Sequence, residues 1–372
     1  MILPINEPRL LGFFKDLVLI NSPSRYEHPL AKKLKDIFSP YPVQIIENVS
    51  IDGTKPNLLI RVPSKDWPTD DSILLSTHMD TIESTEGIKW IEDGSIIRTD
   101  GKTILGADDK SGIAIILEIM IQLFENNLPY PHIELLFSTE EEIHLLGIKA
   151  FDEKQLKSKV GIVLDSDGDA GLITHIAPSH FFFTVSIQGV SAHAGMEPEK
   201  GKSAILFASK AISSIPFGRI DFETTSNIGV IEGGKATNIV AEHCFVNGEV
   251  RSLSRIKLDS ISQTITETFL KGNESGYKVT FNGSIIYNTY KLDTKSPFLE
   301  KLDSTGKEIG LSTQFVSSGG GSDANVLNDR IEGMQCVVIS CGMMRAHTHT
   351  EFVDTSNMYK TARWLLHFLT KP

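Results

Sequence analysis

Five short stretches hold the side chains that could do chemistry in this chain. The apolar run 74–77 stops at His78-Met79-Asp80. Alternate residues on extended backbone share a side, so Asp80 can orient the His78 imidazole. Asp108 and Asp109 follow Gly106-Ala107 and precede Lys110-Ser111-Gly112, at the start of an apolar helical run. Helix capping explains one acid there but neither the second nor the glycines, and Asp108 can bridge two cations while its neighbour caps. The run 133–138 ends in Glu140-Glu141-Glu142. Like charges at a strand end repel unless a cation collects them, and a metal plus a general base would use two of the three. The run 160–164 leads into Asp165-Ser166-Asp167-Gly168, which lacks the regular oxygen donors of a calcium loop. Last, His347 and His349 lie in Arg345-Ala346-His347-Thr348-His349-Thr350-Glu351, and either can supply a second imidazole.

Each stretch alone has an ordinary reading as a turn, a cap or a solvated acidic loop. Together they form a nitrogen and oxygen donor set without cysteine, which suits zinc, cobalt or manganese and disfavours iron–sulfur or structural zinc. A bridging aspartate flanked on each side by one His and one carboxylate describes a two-metal hydrolytic centre.

Such a set needs a scaffold that brings distant loops to one place. Helix-like apolar spacing appears at 7–20 and 28–38, and β-rich runs follow at 43–46, 57–62 and 73–77. A helix is expected over 111–124, with strands at 133–138 and 160–164. This alternation indicates a layered α/β sheet, whose chemistry sits past the strand C-termini. From about residue 178 the order becomes strand 181–188, helix 203–215, strands 227–231 and 245–251, helix 258–270 and strand 277–286. That β-α-β-β-α-β order is the split βαβ, ferredoxin-like pattern. Alternation resumes near Ser296 and closes with a strand at 335–340 and an amphipathic helix at 357–369. The expected plan is one α/β domain built from 1–177 and 290–372, with an α+β domain inserted at 178–289.

The whole chain fits an enzyme of this kind. With 372 residues, two domains are the natural expectation. The net charge of -11 disfavours nucleic acid or an anionic membrane as partner and suits a site that gathers cations. Three cysteines, Cys244, Cys336 and Cys341, sit in apolar strand-like contexts and read as reduced and buried. Glu7, Arg9, Lys15 and Asp16 interrupt the first nineteen residues, so no signal peptide or membrane span is expected there and a cytoplasmic location is.

Five ordered motifs, Ser76-Thr77-His78-Met79-Asp80, Gly106-Ala107-Asp108-Asp109-Lys110, Thr139-Glu140-Glu141-Glu142, Asp165-Ser166-Asp167-Gly168 and His347-Thr348-His349-Thr350-Glu351, resemble the two-zinc metallopeptidase family of peptidase T, glutamate carboxypeptidase and the aminoacylases. The peptidase T-like branch is the most similar. The inserted segment shares the resemblance through Gly189-Val190-Ser191-Ala192-His193-Ala194-Gly195 and Gly233-Gly234-Lys235-Ala236-Thr237-Asn238. It implies a catalytic domain of zinc-peptidase topology with an inserted lid and dimerisation domain, hence a homodimer.

The resemblance further implies two divalent ions, zinc with cobalt or manganese as alternatives. Asp108 would bridge them, with His78 and Asp167 on one side and Glu142 and His347 on the other. The Gly after the acid selects Asp167 over Asp165, and the spacing to Glu351 selects His347 over His349. Glu141 would be the general base, Asp80 would hold His78, and His193 would help polarise the scissile carbonyl from the partner subunit. Asn238, Arg251 and Gly320 match positions that bind the substrate backbone or carboxylate. His144 departs from the family, which often has Gly there. The implied activity is hydrolysis of short peptides by a di- or tripeptide aminopeptidase. A carboxypeptidase or N-acyl amino acid hydrolase is the alternative of the same chemistry. A non-catalytic binding protein is the alternative of another class, and the intact Glu141 argues against it.

Overall fold

Strands buried on both faces are mostly apolar, and four stretches of this chain fit that pattern. In the computed structural model, which describes residues 3–47, 50 and 56–372, they are Ser72–His78, His132–Ser138, Val160–Ser166 and Gln335–Ser340. Ser72–His78 lies between His132–Ser138 and Val160–Ser166 and is parallel to both, and Gln335–Ser340 adds parallel to Val160–Ser166. His78 pairs with Ser138, and Ser340 with Ser166. The four C-terminal ends therefore open on one edge of the sheet, the place where open α/β sheets bind ligands. Leu58–Val62 runs antiparallel beside His132–Ser138, with Gln44–Ile46 beyond it.

The helix Ala107–Glu125 is apolar nearly all round, and Ile113 to Met120 are all fully buried. Such a helix belongs in the interior and gains about 1.5–3 kcal/mol per large side chain removed from water. The closing helix Thr355–Thr370 buries Trp364, whose indole N–H donates to the Leu302 carbonyl at 3.0 Å. A four-stranded antiparallel sheet also forms, in the order Met343–Met344, Phe352–Asp354, Ile96–Thr99, Trp90–Asp93. The sequence reading missed it because strands of two to four residues carry too little alternation to register.

The chain divides into two compact units, one of Met1–His175, Lys291–Ser317 and Ser322–Pro372, the other of Ile176–Tyr290 with Ser318–Gly321. The second unit is an antiparallel sheet in the order Gly218–Arg219, Thr224–Gly233, His243–Ser252, Ser179–Gln188, Lys278–Tyr287. Helices Ala204–Ser213 and Arg255–Leu270, capped by Ser203 and Ser254, supply the rest of its core. Phe183, Val185 and Ile187 alternate into that core along one strand, and Cys244, Val246 and Val250 along the next. Ser318–Gly321 joins this unit because the Ser318 N–H bonds to the Ile176 carbonyl and Tyr287 packs where a Gly321 side chain would lie. Among the described residues no helix is long and apolar enough to cross a membrane.

Candidate metal centre

The strand ends deliver their side chains to one cluster within the first unit. His78 Nε2 lies 2.9 Å from Asp108 Oδ1 and 3.7 Å from Asp165 Oδ1. The other oxygen of Asp108 lies 3.1 Å from His347 Nε2, which is 2.8 Å from Glu142 Oε2. Asp108 thus faces a different imidazole with each oxygen. Candidate ligand atoms of His78, Asp108 and Glu142 lie within 4.8 Å of one another, as do those of His78, Asp109 and Asp165.

Backbone geometry explains how these side chains are aimed. Gly106 is left-handed at φ 69°, which glycine adopts without strain, and Asp108 and Asp109 are non-helical at the head of their helix, joined by a cis peptide bond. Glu351, 1% exposed, accepts the N–H groups of Leu105, Gly106 and Asp108 at 2.7, 2.8 and 3.0 Å and so fixes the loop that carries Asp108. On the other side, Asp80 accepts the N–H groups of Glu141 and Glu142 at 3.0 and 3.2 Å. His78 Nδ1 stands 3.0 Å from the Asp80 carbonyl and 3.3 Å from its carboxylate. One side chain therefore orients the imidazole and the turn that bears two glutamates.

The cluster has more negative groups than its imidazoles can balance. Burial raises the carboxyl of Glu141 well above the ordinary range, and that of Glu142 also rises. Asp165 is pushed up to about 7, by burial first and then by the charge of Asp108. Burial also works against Asp108, but hydrogen bonds from His347 and His78 outweigh it and hold its carboxyl well below the usual value. The same contact to Asp108, then the one to Glu142, raises His347 to about 10. A buried Glu142 oxygen, Oε1, has no hydrogen-bond partner among the described residues. Carboxylates crowded out of water, two imidazoles and an orphaned buried oxygen are the environment that divalent cations neutralise, so these residues fit metal ions.

Of the residues singled out by motif, His78, Asp80, Asp108, Glu142 and His347 converge here, and Glu141 neighbours them through the turn that Asp80 holds. Asp167, expected as a ligand beside His78, makes a different contact. It accepts the Arg345 N–H at 3.2 Å and bears on the His347 loop, whereas Asp165 reaches His78. The strand ends at Ser166 and the chain turns at Gly168, φ 112°, so Asp167 leaves beyond the strand and faces the His347 loop. His349 lies outside it, 2.6 Å from Glu83. His193, Asn238, Arg251 and Gly320 fall in the second unit. His193 is exposed and accepts the Gly195 and Met196 N–H groups, both at 3.2 Å. The Asn238 carbonyl accepts from Ala194, Arg251 pairs with Glu249 through Nε and Nη2 at 3.0 and 3.1 Å, and the Gly320 N–H donates to Ser318. Exposed His144 has φ 74° and its carbonyl accepts from Lys149. Reading by motif missed Glu27, Asn57 and the role of Glu351, which act on backbone N–H groups and leave no spacing signature.

The fold and the cluster define a metal-dependent hydrolase. Peptidase family M20/M25/M40 matches residues 74–371, and the chain belongs to it as a metallopeptidase. The Bacillus subtilis protein YqjE is 37% identical over 366 residues, 97% of this chain and 98% of that one. Two crystal structures cover 98% of this chain and are themselves covered to 98%. Aminopeptidase PepT from Bacillus cereus has 36% identity and a TM-score of 0.88. A tripeptidase from Staphylococcus aureus has 31% identity and a TM-score of 0.91.

Proposed function

We propose that this chain is a two-zinc aminopeptidase that removes the N-terminal residue of tripeptides and dipeptides in the cytoplasm. One observation carries the chemistry: buried Asp108 turns its two oxygens to two imidazoles, the arrangement of a bridging carboxylate. The substrate class draws support from the likeness to proteins described as aminopeptidase PepT and as a tripeptidase. Three buried free cysteines suit a reducing compartment.

His78, Asp108 and Asp165 would hold one ion, and Asp108, Glu142 and His347 the other. Bound there, the ions would acidify the attacking water and polarise the scissile carbonyl. Glu141 is assigned the proton transfers: it takes the proton of the attacking water and passes it to the leaving amine. Asp80 keeps His78 and the Glu141 turn in register. In a homodimer, the partner subunit's His193 is assigned to the scissile carbonyl, and Asn238, Arg251 and the Gly320 turn are assigned to the peptide backbone and its carboxylate.

The test compares trialanine with N-acetyltrialanine on zinc-loaded protein, for wild type and Glu141→Gln. Cleavage of trialanine alone, with kcat lowered by roughly 10²–10⁴ in E141Q at unchanged zinc content, is the expected outcome. Preference for the acylated substrate would make the enzyme a carboxypeptidase or an N-acyl amino acid hydrolase. Full turnover by E141Q would remove Glu141 from the mechanism.

A further inference from the structure

The link between the first two helices carries no strand end and no metal-binding motif, yet it is stitched to the candidate centre. Thr81 exchanges backbone hydrogen bonds with Ser22 and Ser24, and the buried Ser22 hydroxyl donates to the Met79 carbonyl. Ser24 donates through its hydroxyl to Asp80 Oδ2 at 2.7 Å.

Glu27 is 2% exposed and stands at the N-terminal boundary of the helix His28–Phe38, but its side chain does not cap that helix. Instead Oε1 accepts the Arg25 N–H at 2.9 Å and the Glu140 N–H at 3.0 Å. Both donors belong to left-handed residues, Arg25 at φ 76° and Glu140 at φ 51°. Non-glycine residues hold that conformation only where their surroundings impose it.

The Glu140 bond completes a series. Four consecutive N–H groups of the turn are received by side chains from elsewhere in the chain: Thr139 by Asn57, Glu140 by Glu27, and Glu141 and Glu142 by Asp80. Of these four bonds, the one to Glu27 is made by the residue whose backbone is left-handed, and that residue immediately precedes the general base.

We infer that Glu27 is a positioning residue for Glu141. Its carboxylate oxygen fixes the Glu140 peptide, and through it the direction in which Glu141 leaves the turn. This rests on the assignment of Glu141 as base. The geometry calls for an acceptor at the reach of a glutamate side chain rather than for a charge. Glutamine keeps such an oxygen, whereas aspartate keeps the charge but falls one methylene short.

The experiment compares wild type with Glu27→Gln, Glu27→Asp and Glu27→Ala as zinc-loaded proteins. It measures kcat and KM on trialanine, bound zinc, and amide hydrogen exchange of residues 139–142. A misplaced catalytic group costs on the order of 10²-fold, so E27D and E27A should lose about that much in kcat at unchanged KM and zinc content. The same two variants should show faster exchange at Glu140–Glu142, and E27Q should resemble wild type in every measure. Should E27A fail to fold, the order of E27Q over E27D still decides. Equal loss in E27Q and E27D would make charge the requirement and overturn the inference. Wild-type kcat and exchange in E27D, or a loss confined to KM or zinc content, would overturn it as well. A wild type inactive on peptides, with the exchange pattern as stated, would defeat the proposed function and leave the held turn standing.

Discussion

Two carboxylates two residues apart compete for one role, and their surroundings decide between them. Asp165 leaves its strand while the backbone is still paired in the sheet and meets His78, whereas Asp167 accepts the Arg345 N–H. Asp165→Asn should therefore lower bound metal and abolish turnover. Asp167→Asn, which keeps an oxygen for that N–H, should retain the metal and most of kcat. Metal analysis of the two purified variants checks this, and the opposite order would restore Asp167 as the ligand. The sequence made the acids visible but left this choice to a family spacing, because side-chain alternation alone puts both on the same side of an extended chain. Glu351 shows the other gap. It entered the reading as a marker for His347, and in the structure it gathers three N–H groups around Asp108. A residue that works by receiving backbone N–H groups needs no characteristic neighbour, so no pattern announces it.

Among the elements, the parallel strands were legible because burial on both faces leaves unbroken apolar runs, and the inserted sheet because burial on one face leaves alternation. The alternating sheet also presents a polar row of which the sequence motifs single out only Arg251. Arg251 pairs in register with His180, and His180 with Tyr287, while Glu249 lies two residues along the Arg251 strand. Glu249 joins the row, 3.0 Å from His180 Nε2 and 3.0 Å from Arg251 Nε. The close approach of His180 first, and then the hydrogen bonds from Arg251, lower the Glu249 carboxyl from 4.5 to about 2 against the opposing effect of burial. A folded-state value below the unfolded one adds stability that is fully present above pH 4.5 and is lost as pH falls through the folded value near 2. Glu249→Gln should therefore melt below wild type at neutral pH, and the gap should narrow as pH falls below about 4.5. Melting curves of both proteins from pH 7 to pH 3 test it, and a gap independent of pH would show that the pairing acts through shape rather than charge.

At the scale of the whole molecule, we propose that an exposed strand of the second unit carries the contact of the expected homodimer. Its outer strand Thr224–Gly233 pairs with the short strand Gly218–Arg219 only at its beginning, and Val230 and Ile231 beyond that pairing are 40% and 50% exposed. Apolar side chains on an exposed strand edge invite pairing with another chain. A dimer in light scattering that dissociates in Val230→Asp/Ile231→Asp would support the proposed homodimer, and a wild-type monomer would rule it out.

Metal removal acts on the same scale, because the candidate centre draws on segments far apart in the chain. His78, Asp108, Glu142, Asp165 and His347 come from five separate segments of the chain, and the carboxylates that crowd there are buried with too little positive charge to balance them. In the unfolded chain those carboxylates are separate and hydrated, so bound cations favour the folded state by their affinity for it. Free metal at 1,000 times its dissociation constant contributes about 4 kcal/mol, which corresponds to several degrees in melting temperature for a domain of this size. Chelation should lower the melting temperature by that order and abolish peptide cleavage, and zinc should restore both. Glu142→Gln should melt closer to its own chelated form, since it removes a ligand and one of the crowded charges together. Scanning calorimetry with and without chelator measures these shifts. If chelation left the melting temperature unchanged while activity vanished, the ions would contribute to catalysis without holding the five segments together.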